Sequence, residues 1–268
     1  MCGIRGGAQN RTRPKRIVGG RKAAMHSWPW IVNIVEKGNH KQACGGSIID
    51  SNWILTAAHC FLGKGYTFNV TQHDYHLGDH TLNHMDPGER KLIPESMYVH
   101  PDYVPPTFTI PGNFDICLIK LKYSLHWGDK VSPVCLPGRD PVPSLRDARC
   151  YAVGWGNVAD TQEYKRSDVL KELRVKEVSH KNCNSNASYA GKVPRTFFCA
   201  GFREGGSDTC YGDSGGPLQC DNGDGVWNVR GIVSWGIGCA RPNYFGVYSN
   251  VSKMMPFVNA ILSGESEV

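Results

Sequence analysis

Gly212-Asp213-Ser214-Gly215-Gly216-Pro217 is the stretch around which this 268-residue chain is organised. A serine between glycines, with an acid directly before it, reads as a nucleophile on a tight turn. The glycines admit backbone angles that other residues avoid and let a substrate come close. A serine hydroxyl alone is a weak nucleophile and needs a base that a third group orients. The chain supplies both upstream: His59 in Leu55-Thr56-Ala57-Ala58-His59-Cys60, and Asp115 at the head of Asp115-Ile116-Cys117-Leu118-Ile119-Lys120-Leu121. At residue usages of about 5–7%, a given six-residue motif arises by chance roughly once in ten million positions. A bland glycine-rich turn is therefore a poor account of residues 212–217.

Composition bounds the class. A chain of this length forms one large or two small domains, and 40% hydrophobic residues support a real core. Eleven cysteines are too many for an ordinary cytosolic enzyme and point to an oxidising, extracellular compartment. The formal charge of +6 is modest, and no basic stripe interleaved with aromatics marks a nucleic-acid partner. No apolar run reaches transmembrane length. Met1-Cys2-Gly3-Ile4-Arg5 has no apolar core region of a signal peptide. Cysteines without such a signal suggest a start inside a longer secreted precursor with upstream modules.

Short β-type runs separated by turn residues fill most of the chain. Residues 30–35, 44–49, 53–56 and 115–121 read as one set of strands, and a linker follows near 124–132. Residues 150–154, 170–178, 217–220, 227–235 and 246–248 read as a second set. Many short strands with Gly and Pro turns argue for an all-β protein built of barrels. Only the tail reads as a helix: Met254, Val258, Ile261 and Leu262 share one face, and Pro256 suits a first turn. Residues 1–16 are polar and basic, contain Gly6-Gly7, and are expected to be flexible.

Ile17-Val18-Gly19-Gly20, Thr56-Ala57-Ala58-His59-Cys60, Asp115-Ile116-Cys117-Leu118 and Gly212-Asp213-Ser214-Gly215-Gly216-Pro217 fall in the order of the chymotrypsin family. From Cys2 to about Leu262, the chain resembles a trypsin-like serine protease in zymogen form. The resemblance implies two six-stranded antiparallel β-barrels with a C-terminal helix. The first barrel would span about 17–123, the second about 132–250 and the helix about 253–262, all within a protease domain of 17–268 behind a propeptide of 1–16.

The same resemblance assigns roles. Ser214 would attack a peptide carbonyl, His59 would shuttle the proton and Asp115 would orient the imidazole. The N–H groups of Gly212 and Ser214 would form the oxyanion hole. Asp208, six residues before Ser214, would lie at the base of the primary pocket and select Arg or Lys. Gly236 and Gly246 would line that pocket, and Ser234-Trp235-Gly236 would pair with the substrate backbone. Cleavage after Arg16, at the end of Arg13-Pro14-Lys15-Arg16, would free the Ile17 amine to pair with Asp213. That basic run also resembles a proprotein-convertase site, and activation by a trypsin-like protease is the simpler route.

Cysteine count alone leaves the pairing open. The resemblance proposes Cys2–Cys135, Cys44–Cys60, Cys150–Cys220, Cys183–Cys199 and Cys210–Cys239, with the propeptide tethered through the first. Cys117 is left over and reads as a small buried hydrophobe.

Within residues 79–89, Asp79, Asp86 and Glu89 fall where relatives place calcium-loop acids, with backbone carbonyls of Thr81 and His84 completing an oxygen-rich site for a structural ion. The alternative is an acidic loop tied by Arg90 or Lys91. His73, His76, His80 and His84 raise a zinc alternative, although their spacing matches no metal signature. No cofactor is expected for catalysis.

Some features depart from the family pattern. Tyr211 stands at the pocket entrance where Gln is usual. Phe245 replaces a common Pro, and an aromatic there can accompany sodium sensitivity. The proline-stiffened loop 104–112, with Phe108 and Ile110, and the extended segment 61–76 suggest narrow specificity. Sequons occur at Asn10, Asn69, Asn186 and Asn250.

The sequence thus predicts a secreted, glycosylated serine endopeptidase acting on protein substrates with Arg or Lys at the cleaved bond. Its partners would be an activating protease and protein inhibitors. One rival is a catalytically silent homologue serving as a binding module, a class that normally lacks a triad member. Another is a metal-dependent hydrolase using the histidine cluster.

Overall fold

Two runs of chain bend in the middle, and each bend closes a sheet. The computed structural model describes residues 1–6, 20–38, 43–62, 69–107, 112–138, 148–157, 160, 166–221 and 223–265. Arg16, Ile17, Asn10, Phe108, Ile110 and residues 63–68 of the 61–76 segment lie outside the described residues.

The chain first lays down β1 (Arg21–Lys22), β2 (Ile31–Glu36), β3 (Ala43–Asp50), β4 (Trp53–Thr56), β5 (His73–Leu77), β6 (Arg90–Leu92), β7 (Pro94–Val99) and β8 (Cys117–Leu121). Strands β2 to β8 form one antiparallel sheet in the order β6-β5-β2-β3-β4-β8-β7. Its two edges, β6 and β7, are separated only by Ile93. Pro94 lacks an N–H, and there the run leaves β5 for β8, pairing Leu92 with Tyr75 and Pro94 with Leu121. Counted as one bent strand, β6–β7 closes a six-stranded barrel.

The second half repeats the device with β9 (Arg149–Gly154), β10 (Lys171–Val175), β11 (Glu177–Val178), β12 (Phe197–Ala200), β13 (Pro217–Asp221), β14 (Trp227–Trp235) and β15 (Gly246–Asn250). The sheet order is β1-β10-β9-β13-β14-β15-β12-β11. Here β10 and β11 flank Lys176 and pair with β9 and β12 respectively. They close a second six-stranded barrel, and β1 adds to it from outside. The two-barrel, all-β expectation holds.

Tryptophans fill the seam between the barrels. Trp28 meets Trp30 and Trp227 edge-on, with ring centroids 5.7 and 4.9 Å apart. Trp30 Nε1 donates to Gln219 Oε1 at 3.0 Å, so its one polar atom is satisfied across the seam. The tail helix α2 (Val251–Leu262) follows a one-turn helix, α1 (His180–Cys183). Met254, Val258 and Ile261 of α2 are buried, and Phe257 packs on His100 of the first barrel, so α2 straps the barrels together.

Three local expectations need correction. α2 begins two residues earlier than 253, which moves Pro256 out of the first turn and leaves the Ser252 carbonyl without its helical donor. α1 was not legible as a helix; it forms because the Ser179 hydroxyl accepts from Asn182 N–H and caps it. Residues 1–6 are docked rather than flexible: Gly3 exchanges backbone hydrogen bonds with Pro133 and Trp227. All five disulfides implied by the resemblance are present, and Cys117 is buried and free.

Candidate active site

Antiparallel neighbours β4 and β8 place His59 and Asp115 together. His59 lies just after the end of β4 and Asp115 just before the start of β8, hence at the same end of the sheet. Cys60, tied to Cys44 of β3, fixes the turn that carries His59. His59 N–H donates to Asp115 Oδ1 at 3.0 Å, and His59 Nδ1 lies 2.7 Å from Asp115 Oδ2. Since an ionised carboxylate only accepts, Nδ1 carries the proton and Nε2 is left as the basic nitrogen.

The second barrel completes the setting of Asp115. Ser234, on β14, donates its hydroxyl to Oδ2, and Ser249, on β15, donates to the Asp115 carbonyl at 2.7 Å. Asp115 is buried, which by itself would raise its pKa. The charge of His59, the hydrogen bonds it donates and that of the Ser234 hydroxyl outweigh burial and hold the carboxyl below its ordinary range. For His59, burial opposes the charged form, yet Asp115 prevails and raises the imidazole pKa. Phe114, directly before Asp115, takes a left-handed φ of +48° and stacks on His100 at 4.3 Å. The Ser234 hydroxyl role, Ser249 and the Phe114 backbone escaped the sequence reading, because no local pattern announces them.

Ser214 sits on a turn leading into β13, clamped to the first barrel by Gly45 N–H, which donates to the Ser214 carbonyl at 2.7 Å. Gly45 and Gly216 pass so closely that a Cβ on Gly45 would lie 2.8 Å from Gly216 Cα. Gly212 has φ +95°, a conformation that disfavours any side chain. Among the described residues, Asp213, Gly215 and Gly216 each donate an N–H to a backbone carbonyl, and Gly212 and Ser214 do not.

Behind this turn, Asp213 is buried and accepts from Gly156 N–H at 2.8 Å and Cys210 N–H at 3.0 Å. Burial pushes its carboxyl up to about 6. A Cβ on Gly154 or Gly156 would collide with that carboxylate, so both glycines keep its chamber open.

Ser214 opens onto a pocket of about 210 Å³ whose lining includes Asp208, Tyr211, Ser234, Trp235, Gly236 and Gly246. Asp208 is 5% exposed; Thr209 and Ala240 N–H groups donate to its two oxygens at 2.8 and 3.2 Å. Burial lifts it to about 7 despite those donors. A Cβ on Gly246 would lie 2.7 Å from Asp208 Oδ1. Tyr211 is 56% exposed at the mouth, whereas Phe245 is buried and its carbonyl accepts the Tyr189 hydroxyl at 2.6 Å.

The oxygen-rich loop also assembles in part. Ligand atoms of Asp79, Asp86 and Glu89 all lie within 4.8 Å of one another. Asp86 Oδ2 accepts from His80 and Thr81 N–H, Glu89 Oε1 meets His76 Nδ1 at 2.9 Å, and Thr81 C=O accepts His84 N–H at 3.3 Å. Lys91 pairs with Asp74 rather than tying these acids. Among the described residues, no metal-like cluster joins His73, His76, His80 and His84.

Two β-barrels that meet along a cleft carrying a serine, an imidazole and a buried carboxylate define the architecture of the trypsin-like serine proteases. Residues 17–258 match the family model described as Trypsin, and the chain belongs to that family. It is 37% identical over 263 residues to "Serine proteinase stubble" of Drosophila melanogaster, covering 94% of this chain and 32% of that protein. It is 35% identical over 247 residues to "Transmembrane protease serine 5" of Homo sapiens, covering 91% of this chain and 51% of that protein. The chain thus spans about a third to a half of these relatives. No helix among its described residues is long and apolar enough to cross a membrane.

Proposed function

We propose that the chain is an extracellular serine endopeptidase, made as a zymogen and activated by cleavage after Arg16. It hydrolyses peptide bonds that follow Arg or Lys. The observation that carries this reading is the His59–Asp115 pair at 2.7 Å, beside a pocket that runs from Ser214 to buried Asp208. Ser214 Oγ attacks the carbonyl, His59 Nε2 takes its proton and returns it to the leaving amine, and Asp115 stabilises the imidazolium between those steps. The N–H groups of Gly212 and Ser214 receive the negative charge on the carbonyl oxygen. Asp208 binds the guanidinium or ammonium of the substrate, and Gly246 leaves room for its stem.

The reach of the chain supports the activation step. Arg21 on β1 pairs with Glu172 on β10, and β10 pairs with β9, whose Gly154 abuts Asp213. Two strand spacings amount to about 10 Å. Four extended residues from Arg21 back to Ile17 span up to about 14 Å. The freed amine therefore has enough chain to reach Asp213, where a cation would favour ionisation of a carboxyl that burial holds up.

Asp79, Asp86 and Glu89 suit a structural calcium ion: all are hard oxygen donors, and Asp79 Oδ1 is buried without a hydrogen-bond partner. A bound cation would neutralise the mutual repulsion of these acids and brace the loop.

Labelling with a serine-directed phosphonate tests the proposal. Ser214 should label after Arg16 is cut, and the His59→Ala variant should not. Labelling that ignores both changes would refute it.

A further inference from the structure

The first six residues occupy a built site. Gly3 N–H donates to Pro133 O at 2.8 Å, and Trp227 N–H donates to Gly3 O at 2.9 Å. Gly3 has φ +71°, and a Cβ there would collide with Trp227 O. Gly6 is equally confined, since its Cβ would collide with His26 O and lie 2.7 Å from Asp129 O. Between them, the Arg5 guanidinium lies 3.8 Å from the Trp28 ring centroid and 5.5 Å from that of Trp227. Its Nη2 donates to Glu172 Oε2 at 2.9 Å and its Nε to Ser27 O at 3.3 Å. Glu172 is 3% exposed and also accepts Trp28 Nε1 at 2.8 Å and Arg21 Nε at 2.5 Å.

We infer that Trp28, Trp227 and Glu172 form a docking box for the upstream segment, in which Arg5 holds residues 1–6 on the protease domain independently of the Cys2–Cys135 disulfide. The inference rests on the proposed cleavage after Arg16 for its consequence, which is that the cut segment stays bound. Two features support the docking itself. A desolvated cation over two indoles gains more than an exposed one, and a hydrogen bond between charged groups adds to that gain. Glu172 is not left as an unpaired buried charge when Arg5 leaves, because Arg21 and Trp28 remain its donors. The box therefore tolerates both the occupied and the vacant state, as a reversible site requires. Glu172 also anchors both flanks of the activation segment, Arg5 before it and Arg21 after it.

The test uses the full chain with Cys2→Ser and Cys135→Ser, alone and combined with Arg5→Ala or Arg5→Lys. Each is cut after Arg16, the Ile17 terminus is verified by mass, and retention of the 1–16 peptide is read by gel filtration and mass spectrometry. The peptide should stay bound when Arg5 is present and dissociate roughly a hundredfold more readily with Arg5→Ala. Arg5→Lys should fall between, because an ammonium lacks the planar fork. Equal loss from all three variants would overturn the inference. A missing Ile17 terminus would count against cleavage at Arg16 and not against docking. In the uncut, disulfide-intact chain, hydrogen exchange at Gly3 and Trp227 should quicken with Arg5→Ala, and unchanged exchange would overturn docking.

Discussion

Ser234 of the second barrel donates its hydroxyl to Oδ2 of Asp115 from the first, the same oxygen that faces His59 Nδ1. One carboxylate thus joins the two barrels at the point where the chemistry is proposed. A hydrogen bond to a charged group contributes about 1.5–3 kcal/mol, so Ser234→Ala should lower stability by that amount. It should also lower kcat roughly tenfold, since an imidazole held by a loosened carboxylate spends less time in register. Thermal unfolding and steady-state kinetics check both; an unchanged kcat would remove Ser234 from the catalytic support.

The pH profile has a defined sign. Asp115 outweighs burial and raises the His59 pKa above its ordinary 6.5, and the base works only when neutral. kcat/KM should therefore rise with pH through an apparent pKa above 6.5. Asp115→Asn removes both raising influences and leaves burial, so the ascending limb should move to lower pH while activity falls by orders of magnitude. Stability follows the same linkage. The His59 contribution is present in acid and lost as pH rises through the folded pKa, whereas the Asp115 contribution is present above about 3.8 and lost as pH falls below that value.

Asp208 should report on cation binding directly. Burial holds it near 7, and a guanidinium binds best to the ionised form. Inhibition by benzamidine should strengthen as pH rises to about 7 and then level off. Asp208→Ser should abolish cleavage after Arg and Lys. Flat inhibition across pH 5.5–8.5, once the His59 limb is subtracted, would contradict the assignment.

Gly246 is the steric counterpart of Asp208. Because its Cβ would meet Asp208 Oδ1 at 2.7 Å and Tyr248 at 3.0 Å, Gly246→Ala should cut kcat/KM for arginine peptides roughly a hundredfold while the protein still folds. Circular dichroism separates that outcome from misfolding.

The acidic loop should respond to calcium. Saturation to a hundred times Kd stabilises by about 2.7 kcal/mol, which is roughly 5–10 °C in Tm for a domain of this size. Asp79→Asn should erase most of the shift. Because burial and the charges of Glu89 and Asp86 raise the Asp79 pKa, calcium should also bind more weakly as pH falls. A Tm indifferent to millimolar calcium would reject the site.

What the sequence could and could not convey divides along physical lines. The serine turn, the His59 turn and strands such as Trp53–Thr56 and Trp227–Trp235 were legible because short-range spacing and apolar runs encode them. The closing strands were not. β5, His-Asp-Tyr-His-Leu, buries only Tyr75 and Leu77, and β7 opens with Pro-Glu, so neither looks like a strand in isolation. Contacts such as Arg5–Glu172, 167 positions apart, and Ser249–Asp115, 134 apart, exist only once the barrels have closed. The family resemblance supplied the disulfide pairing, which cysteine count alone left open.

The most direct measurement is hydrolysis of a chromogenic arginine peptide before and after limited cleavage at Arg16, with Ser214→Ala alongside. Activity that appears only with an Ile17 terminus, and is absent from the variant, is the predicted result. An inactive chain with a verified Ile17 terminus, or a variant that hydrolyses as well as the parent, would contradict it.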